Sequence, residues 1–179
     1  PTLVTTGLPF GELSDRLRTR LGDPYFSRVI NIKSGSGSRG NLGSGLKPKL
    51  AEAMTFSSFS SRGATGATAS QRRSLKEAFD AAKIFAEHPS GWLYLAGPTG
   101  VGKTHLAAAI ISECIKRDRS VLFRFIPDLL DELRRSYGSG SEKSFDRAFS
   151  QVRDAALLVL DDLGTEASTS WAEEKLYQL

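Results

Sequence analysis

The chain has 179 residues, 40% of them hydrophobic and 25% charged, and its 24 Lys and Arg against 20 Asp and Glu give a net charge of +4. This balance is typical of globular proteins and excludes a wholly disordered chain, and no apolar run approaches the roughly 18 residues that a transmembrane helix needs. One cysteine, Cys114, excludes an internal disulfide and a cysteine-rich metal site, and no secretory signal is visible, so we expect a cytoplasmic protein without membrane contact.

The basic residues are concentrated in the first part of the chain. Residues 1–73 carry 11 Lys and Arg against 4 Asp and Glu, a net charge of +7, whereas residues 74–179 carry −3. Leucines spaced four apart within 8–30 predict a weak helix, and nine of the twelve residues 34–45 are Gly or Ser, which is typical of a flexible linker. We therefore predict a basic, partly disordered region over 1–54, which is either an arm for nucleic acid or an acidic protein, or a solvated tail.

From residue 71 onward, the hydrophobic pattern alternates between helix and strand spacing. The predicted elements are, in chain order, a helix over 71–87, a strand over Trp92–Ala96, a helix over 103–117, a strand over Val121–Ile126, a helix from Pro127, a helix over 143–154, a strand over Ala156–Leu160 and a helix from residue 169. Strands that alternate with helices are typical of a parallel sheet covered by helices on both faces. We therefore predict an α/β fold of three layers.

The strongest functional motif follows the first of these strands and has the spacing G-x-x-x-x-G-K-[ST]. This candidate phosphate loop consists of Gly97, Pro98, Thr99, Gly100, Val101, Gly102, Lys103 and Thr104. Its glycines let backbone N–H groups converge on phosphate oxygens, and the helix that begins near Lys103 points its positive end at the same anion. We expect Lys103 to reach the β- and γ-phosphates of a nucleotide and the Thr104 hydroxyl to bind Mg²⁺. His105, in the first turn of that helix, is included as a supporting or packing residue of the nucleotide site.

Two acidic residues follow the most apolar predicted strand. Ligands of parallel sheets bind beyond the carboxyl ends of the strands, so we expect Asp161 to hold Mg²⁺ and Asp162 to orient or deprotonate the attacking water. Catalysis by Lys103, Asp161 and Asp162 would consist of positioning the transferred phosphoryl group and neutralising its charge. Because no guanine-reading motif is visible, the sequence favours ATP, with Mg²⁺, as the bound nucleotide.

Further segments give the chain a resemblance to one family. The motif is followed by His105–Ile110, Val121–Phe123, Pro127–Leu130 and Leu160–Gly164, is preceded by Thr55–Phe59, and is joined by Trp171, Glu174, Lys175 and Tyr177 in the last predicted helix. With this combination, residues 55–179 resemble the DnaC/DnaI-type helicase loaders of the AAA+ superfamily. The resemblance implies that 55–179 form a P-loop NTPase core of the AAA+ type.

The resemblance also implies a function in DNA replication, namely delivery of a hexameric replicative helicase of the DnaB type onto single-stranded DNA. It implies a module that binds ATP and single-stranded DNA and self-assembles, so that an arginine of one subunit completes its neighbour's site. The candidate DNA-contacting residues are Arg134, Arg135, Lys143 and Arg147. Acidic residues are interleaved with them, so a solvated face of mixed charge is the alternative. Phe56 and Phe59 are candidates to flank the adenine or, alternatively, to pack on the sheet.

A complete module of this superfamily would continue beyond the acidic pair with a strand that carries a polar sensor residue, an arginine finger and a helical lid. The 17 residues that follow Asp162 are too few for these elements. We therefore expect a fragment, truncated within the ATPase module, that binds nucleotide weakly and hydrolyses it poorly.

Two alternatives to helicase loading remain open at this point. A transposition helper of the IstB type would be a close AAA+ relative, although such helpers favour D-E-L-G where this chain has Asp161-Asp162-Leu163-Gly164. A nucleotide-gated adaptor would use ATP only to control its affinity for a partner, with little hydrolysis. The identity of the partner separates the first alternative from helicase loading, and the hydrolysis rate separates the second.

Overall fold

A computed structural model describes residues 1–33, 53–63, 65–138, 149–164 and 170–178 of the chain. Its helices and strands are, in chain order, β1 (Thr2–Thr6), α1 (Asp15–Leu21), β2 (Ser27–Asn31), α2 (Ala69–Glu87), β3 (Trp92–Ala96), α3 (Lys103–Lys116), β4 (Leu122–Phe125), α4 (Ile126–Gly138), β5 (Leu158–Leu163) and α5 (Ser170–Gln178). A 3₁₀ turn covers Phe10–Glu12, and residues 149–153 are helical. None of the described helices is both long and apolar enough to cross a membrane.

The five strands form one sheet in the order β2-β3-β1-β5-β4. Every neighbouring pair is parallel, and β1 is aligned with β3 on one side and with β5 on the other. The predicted α/β fold with a parallel sheet is therefore confirmed, and it is consistent with the fold of a P-loop NTPase.

Residues 1–33 are part of this sheet and not a separate arm. β1 lies at its centre, with Leu3 wholly buried and Val4 2% exposed, and β2 forms one edge beside β3. The prediction separated residues 1–54 from the core over 55–179, and for residues 1–33 this separation is wrong, because the basic residues that suggested it lie outside β1, which is uncharged. α1 lies within the weak helix predicted for 8–30. The predicted linker over 34–45 lies outside the described residues.

Helices cover both faces of the sheet, and each covered face has its own hydrophobic core. The first core joins α2 and α3 to side chains such as Leu3, Leu93 and Val159. The second core joins α1, α4 and α5 to side chains such as Val4 and Leu160. Because adjacent residues of β1 enter opposite cores, this strand is buried on both faces, as expected for a central strand of a parallel sheet.

The helix layers explain how a strand from the start of the chain reaches the centre of the sheet. The connections from β1 to β2 and from β4 to β5 run toward the β2 edge and use α1 and α4 on one face of the sheet. The connections from β2 to β3 and from β3 to β4 run toward the β4 edge and use α2 and α3 on the other face. All four crossover connections therefore have the same handedness. α5 packs on the same face as α4 and α1, and β1 is the neighbour of β5. β1 thus lies where a strand reached from β5 through α5 would lie.

Several element boundaries differ from the prediction by a few residues. Ile126 begins α4 and is wholly buried, whereas the apolar pattern assigned it to the preceding strand. α2 begins at residue 69 because Thr68 and Gln71 form a reciprocal capping box. β5 extends to Leu163, so both acidic residues lie within the strand. Of the predicted helix over 143–154, the structure describes only the part from residue 149 onward.

Candidate functional site

The predicted site residues lie at the carboxyl ends of three neighbouring strands. The candidate phosphate loop connects β3 to α3, the acidic pair lies near the end of β5, and β1 ends between them with Thr5 and Thr6. The backbone of residues 1–33 holds the beginning of the loop from two sides. The N–H of Gly97 donates to the carbonyl of Thr6 at 3.2 Å, and the N–H of Ile32 donates to the carbonyl of Ala96 at 2.7 Å.

Glycine is required at two positions of the loop by its backbone geometry. Gly102 has φ +101° and precedes the first residue of α3, where a Cβ would lie 2.7 Å from the ring of Phe59. Gly97 has φ +150°, and a Cβ there would lie 2.4 Å from the carbonyl oxygen of Ile32. The tight turn therefore depends on both the glycines and their neighbours.

We expect Gly97→Ala to destabilise the protein by about 1–3 kcal/mol, because alanine at this φ is strained and its methyl group meets a backbone carbonyl. For a chain of this size, that free energy corresponds to a fall in Tm of about 2–4 °C per kcal/mol, measurable by calorimetry. Gly11→Ala is the matched control, since a Cβ at Gly11 would meet no atom within 4 Å. Equal Tm values for the two variants would contradict the assigned loop geometry.

Lys103 is the first residue of α3, and its side chain lies inside the candidate phosphate loop. Its ammonium donates to the carbonyl oxygens of Gly97 at 2.7 Å and Pro98 at 3.0 Å, and the residue is only 7% exposed. Burial lowers the pKa of Lys103, and the negative charges of Asp162 and Asp161 partly offset this effect. A buried ammonium that donates hydrogen bonds inside the loop is suited to bind the oxygens of a phosphate group.

Asp161 connects β5 to both of the other site elements. One of its carboxylate oxygens accepts from the hydroxyl of Thr5 at 2.5 Å, and the Thr104 hydroxyl lies 3.2 and 3.3 Å from the two oxygens. Burial raises the pKa of Asp161, whereas the hydrogen bonds from Thr5 and Thr104 lower it. A carboxylate beside a hydroxyl is an oxygen donor set of the kind that Mg²⁺ prefers, so Asp161 and Thr104 fit this ion.

Asp162 is half-buried and adopts a left-handed backbone conformation, with φ +66°. Its charge acts on the two other ionisable groups of the site, since it raises the pKa of both Lys103 and Asp161. The structure thus brings Lys103, Thr104, Asp161 and Asp162 together as the sequence predicts. The role of each in catalysis stays a prediction.

The remaining loop residues differ in exposure. Pro98, Thr99 and Gly100 are exposed, whereas Val101 packs against the first hydrophobic core. His105 hydrogen-bonds through Nε2 to the carbonyl of Thr55 at 3.0 Å, and its ring meets that of Phe59 edge-on. His105 therefore ties the Thr55–Phe59 segment to the first turn of α3, in keeping with a supporting role.

Phe56 and Phe59 both pack on Phe79 of α2. The Phe56 ring meets it edge-on at 5.6 Å, and the Phe59 ring stacks on it at 5.7 Å. These contacts favour the packing alternative, and a contact with adenine stays a prediction.

The candidate DNA-contacting residues are only partly described. Arg134 on α4 pairs with Asp131 and lies over the ring of Trp171, and Arg135 donates to the Asp131 carbonyl. Such pairing is typical of a solvated helix face. Lys143 and Arg147 lie outside the described residues, so DNA contact stays a prediction.

Sequence reasoning missed the contribution of β1 to the site. Thr5 bonds to Asp161, and the Thr6 hydroxyl donates to the carbonyl of Leu163 at 2.5 Å. The signal for this strand was the run Thr2-Leu3-Val4-Thr5-Thr6, in which every residue except Leu3 is β-branched, bounded by a proline and a glycine. Nothing in that run indicated a place beside the acidic pair.

Comparison with known proteins finds a family that most of the chain matches. Residues 47–179 match the family described as IstB-like ATP binding protein. The chain is 33% identical over 84 residues to the replicative helicase loader DnaI of Bacillus subtilis, and these residues are 47% of this chain and 26% of that protein. It is 38% identical over 87 residues to the insertion sequence IS1162 putative ATP-binding protein of Pseudomonas fluorescens, covering 49% and 36% of the two chains.

The replicative helicase loader DnaC of Escherichia coli is 29% identical over 84 residues, which are 47% of this chain and 34% of that protein. The chain therefore aligns with about a quarter to a third of the length of these curated relatives. No solved structure matches the chain.

Proposed function

Because the chain belongs to the IstB-like ATP-binding protein family, we propose that it binds ATP with Mg²⁺ at the candidate phosphate loop and loads a hexameric replicative helicase onto single-stranded DNA. The observation that carries the nucleotide site is the convergence of Lys103, Thr104 and Asp161 at the ends of neighbouring parallel strands. Relatives from helicase loading and from insertion sequences both support ATP binding.

In the proposed complex, each group acts through charge and position. The Lys103 ammonium leaves the carbonyls of Gly97 and Pro98 for the β- and γ-phosphates, where a charge-assisted hydrogen bond is stronger than a neutral one. Thr104 and Asp161 hold Mg²⁺, which when bound supplies neutralisation of phosphate charge. Asp162 orients the attacking water or accepts its proton. The products are ADP and phosphate.

Helicase loading is the first candidate for the use of this ATP. The named loaders from Bacillus subtilis and Escherichia coli each match 84 residues of the chain, and Asp162 agrees with the acidic pair that favours loaders. We propose a DnaB-type helicase and single-stranded DNA as partners, with self-assembly through the ATPase module.

We expect the chain to co-elute with a DnaB-type hexamer on a sizing column in one nucleotide state, ATP or ADP, and to separate from it in the other. Lys103→Ala should abolish this dependence, because it removes the cation that senses the phosphates. Lys116→Ala is the matched control, since Lys116 lies on the same helix, is exposed and pairs with Glu113 on the helix surface. Lack of co-elution by a chain that binds ATP would contradict helicase loading and leave the nucleotide site standing.

Transposition assistance is the second candidate, favoured by the family description and by the 38% identity to an insertion-sequence ATP-binding protein. The same sizing-column experiment, with the transposase of such an element in place of the helicase, tests this candidate. ATP-dependent co-elution with the transposase but not with the helicase would favour it. Slow hydrolysis together with a large difference in partner affinity between ATP and ADP would instead favour a nucleotide-gated adaptor.

A further inference from the structure

The pairing of β1 with β5 contains an irregularity at the acidic pair. Val4 is aligned with Leu160, but Thr6 is aligned with Leu163, so two residues of β5 face the single residue Thr5 of β1. This arrangement is a β-bulge, and the two residues concerned are Asp161 and Asp162. A bulge bends its strand locally and changes the direction of its side chains, which is why bulges are frequent beside functional sites.

The side chain of Thr5 fills the gap that the bulge leaves in the ladder. Its hydroxyl donates to Oδ1 of Asp161 at 2.5 Å and accepts from the backbone N–H of Asp162 at 3.1 Å. Thr5 is 1% exposed, so no solvent competes for either bond. A hydroxyl with its donor and an acceptor site both in use has a fixed orientation, and the β-branched side chain has few rotamers.

We propose that Thr5 is a positioning residue for the Asp161 carboxylate. The inference rests on the proposed function, since Asp161 matters there as a ligand of Mg²⁺. Thr5 holds Oδ1 from the β1 side while the Thr104 hydroxyl approaches the carboxylate from α3. The same hydroxyl satisfies the amide of Asp162 and so supports the left-handed conformation of that residue, which is disfavoured in an L-amino acid.

A purely structural role for Thr5 makes a different prediction. If the hydroxyl only closes the ladder, its removal lowers stability and leaves the response to Mg²⁺ unchanged. If it positions Asp161, its removal weakens the Mg²⁺-dependent part of nucleotide binding and spares the part measured without metal. The response to Mg²⁺ therefore separates the two roles.

We would titrate the full chain with a fluorescent ATP analogue in EDTA and over a series of Mg²⁺ concentrations. For Thr5→Val we expect the affinity for the ATP analogue in EDTA to stay within about twofold of the wild type. The gain in that affinity on adding Mg²⁺ should be about tenfold smaller, as for loss of a hydrogen bond to a charged group. Thr5→Ser keeps the hydroxyl and should restore the gain. Thr2→Val is the matched control, because it makes the same change at the opposite end of β1.

An unchanged Mg²⁺ response in Thr5→Val, or an equal loss in Thr2→Val, would overturn the role of Thr5 and leave the proposed function intact. A wild-type chain that binds no ATP even with Mg²⁺ would overturn both. Thr5→Ala is a second hydroxyl-free variant for the case that valine prevents folding. In the unaltered chain, Mg²⁺ added to the nucleotide complex should shift the NMR amide resonance of Asp162, and an unmoved resonance would also overturn the proposal.

Discussion

Replacing Lys103 with Met is expected to lower the affinity for ATP by about 10- to 100-fold, as for the loss of a hydrogen bond to a charged group. Among the described residues, Lys103 is the cation buried inside the loop, and the charges of both acidic residues act on its pKa. Methionine keeps the aliphatic stem, so the loop loses the charge and little of its packing. Titration with a fluorescent ATP analogue measures the effect.

The same substitution should leave the fold intact. Burial lowers the pKa of Lys103, which means that the folded state disfavours its charged form relative to water, and this cost disappears with the charge. We therefore expect a Tm equal to or above that of the wild type. Lys116→Met, at the exposed end of α3, should change neither the affinity for ATP nor the Tm. A Lys103→Met variant that binds ATP normally would contradict the assignment of the phosphate site.

The candidate phosphate loop could be predicted because its chemistry is local in the sequence. Eight consecutive residues carry the turn, the cation and the hydroxyl, and the apolar strand before them and the helix after them are readable from periodicity. The acidic pair could be placed at the same edge of the sheet because the carboxyl ends of parallel strands all lie on one side. These two local signals are enough to predict that Asp161 and Thr104 lie close together.

The contribution of β1 could not be predicted by the same means. Thr5 and Asp161 are 156 residues apart in sequence, and no local pattern indicates which strands pair across such a distance. Charge reasoning also misled, because the net charge of residues 1–73 averages an uncharged buried strand with exposed arginines. A strand this short is ambiguous by periodicity, and only its two-sided burial reveals its place at the centre of the sheet.

Because β1 is a central strand, Leu3→Ala is expected to destabilise the whole protein by about 2–5 kcal/mol, as for other buried leucines. Leu3 is wholly buried in the first hydrophobic core, beside side chains of β3 and β5. The loss should lower Tm by roughly 4–20 °C, at about 2–4 °C per kcal/mol for a chain of this size. Calorimetry or circular dichroism of the full chain measures the change.

Tyr25→Ala is the control within the same segment, because Tyr25 is 92% exposed and its loss should change the free energy of unfolding by no more than about 0.5 kcal/mol. If residues 1–33 were a separate arm, Leu3→Ala would have the same Tm as the wild type, and that outcome would contradict the central position of β1. If the strand is central, Leu3→Ala should also weaken ATP binding near its lowered Tm, because the carbonyl of Thr6 that holds Gly97 lies on the same strand. Stability of the sheet and geometry of the nucleotide site would then depend on the same five residues.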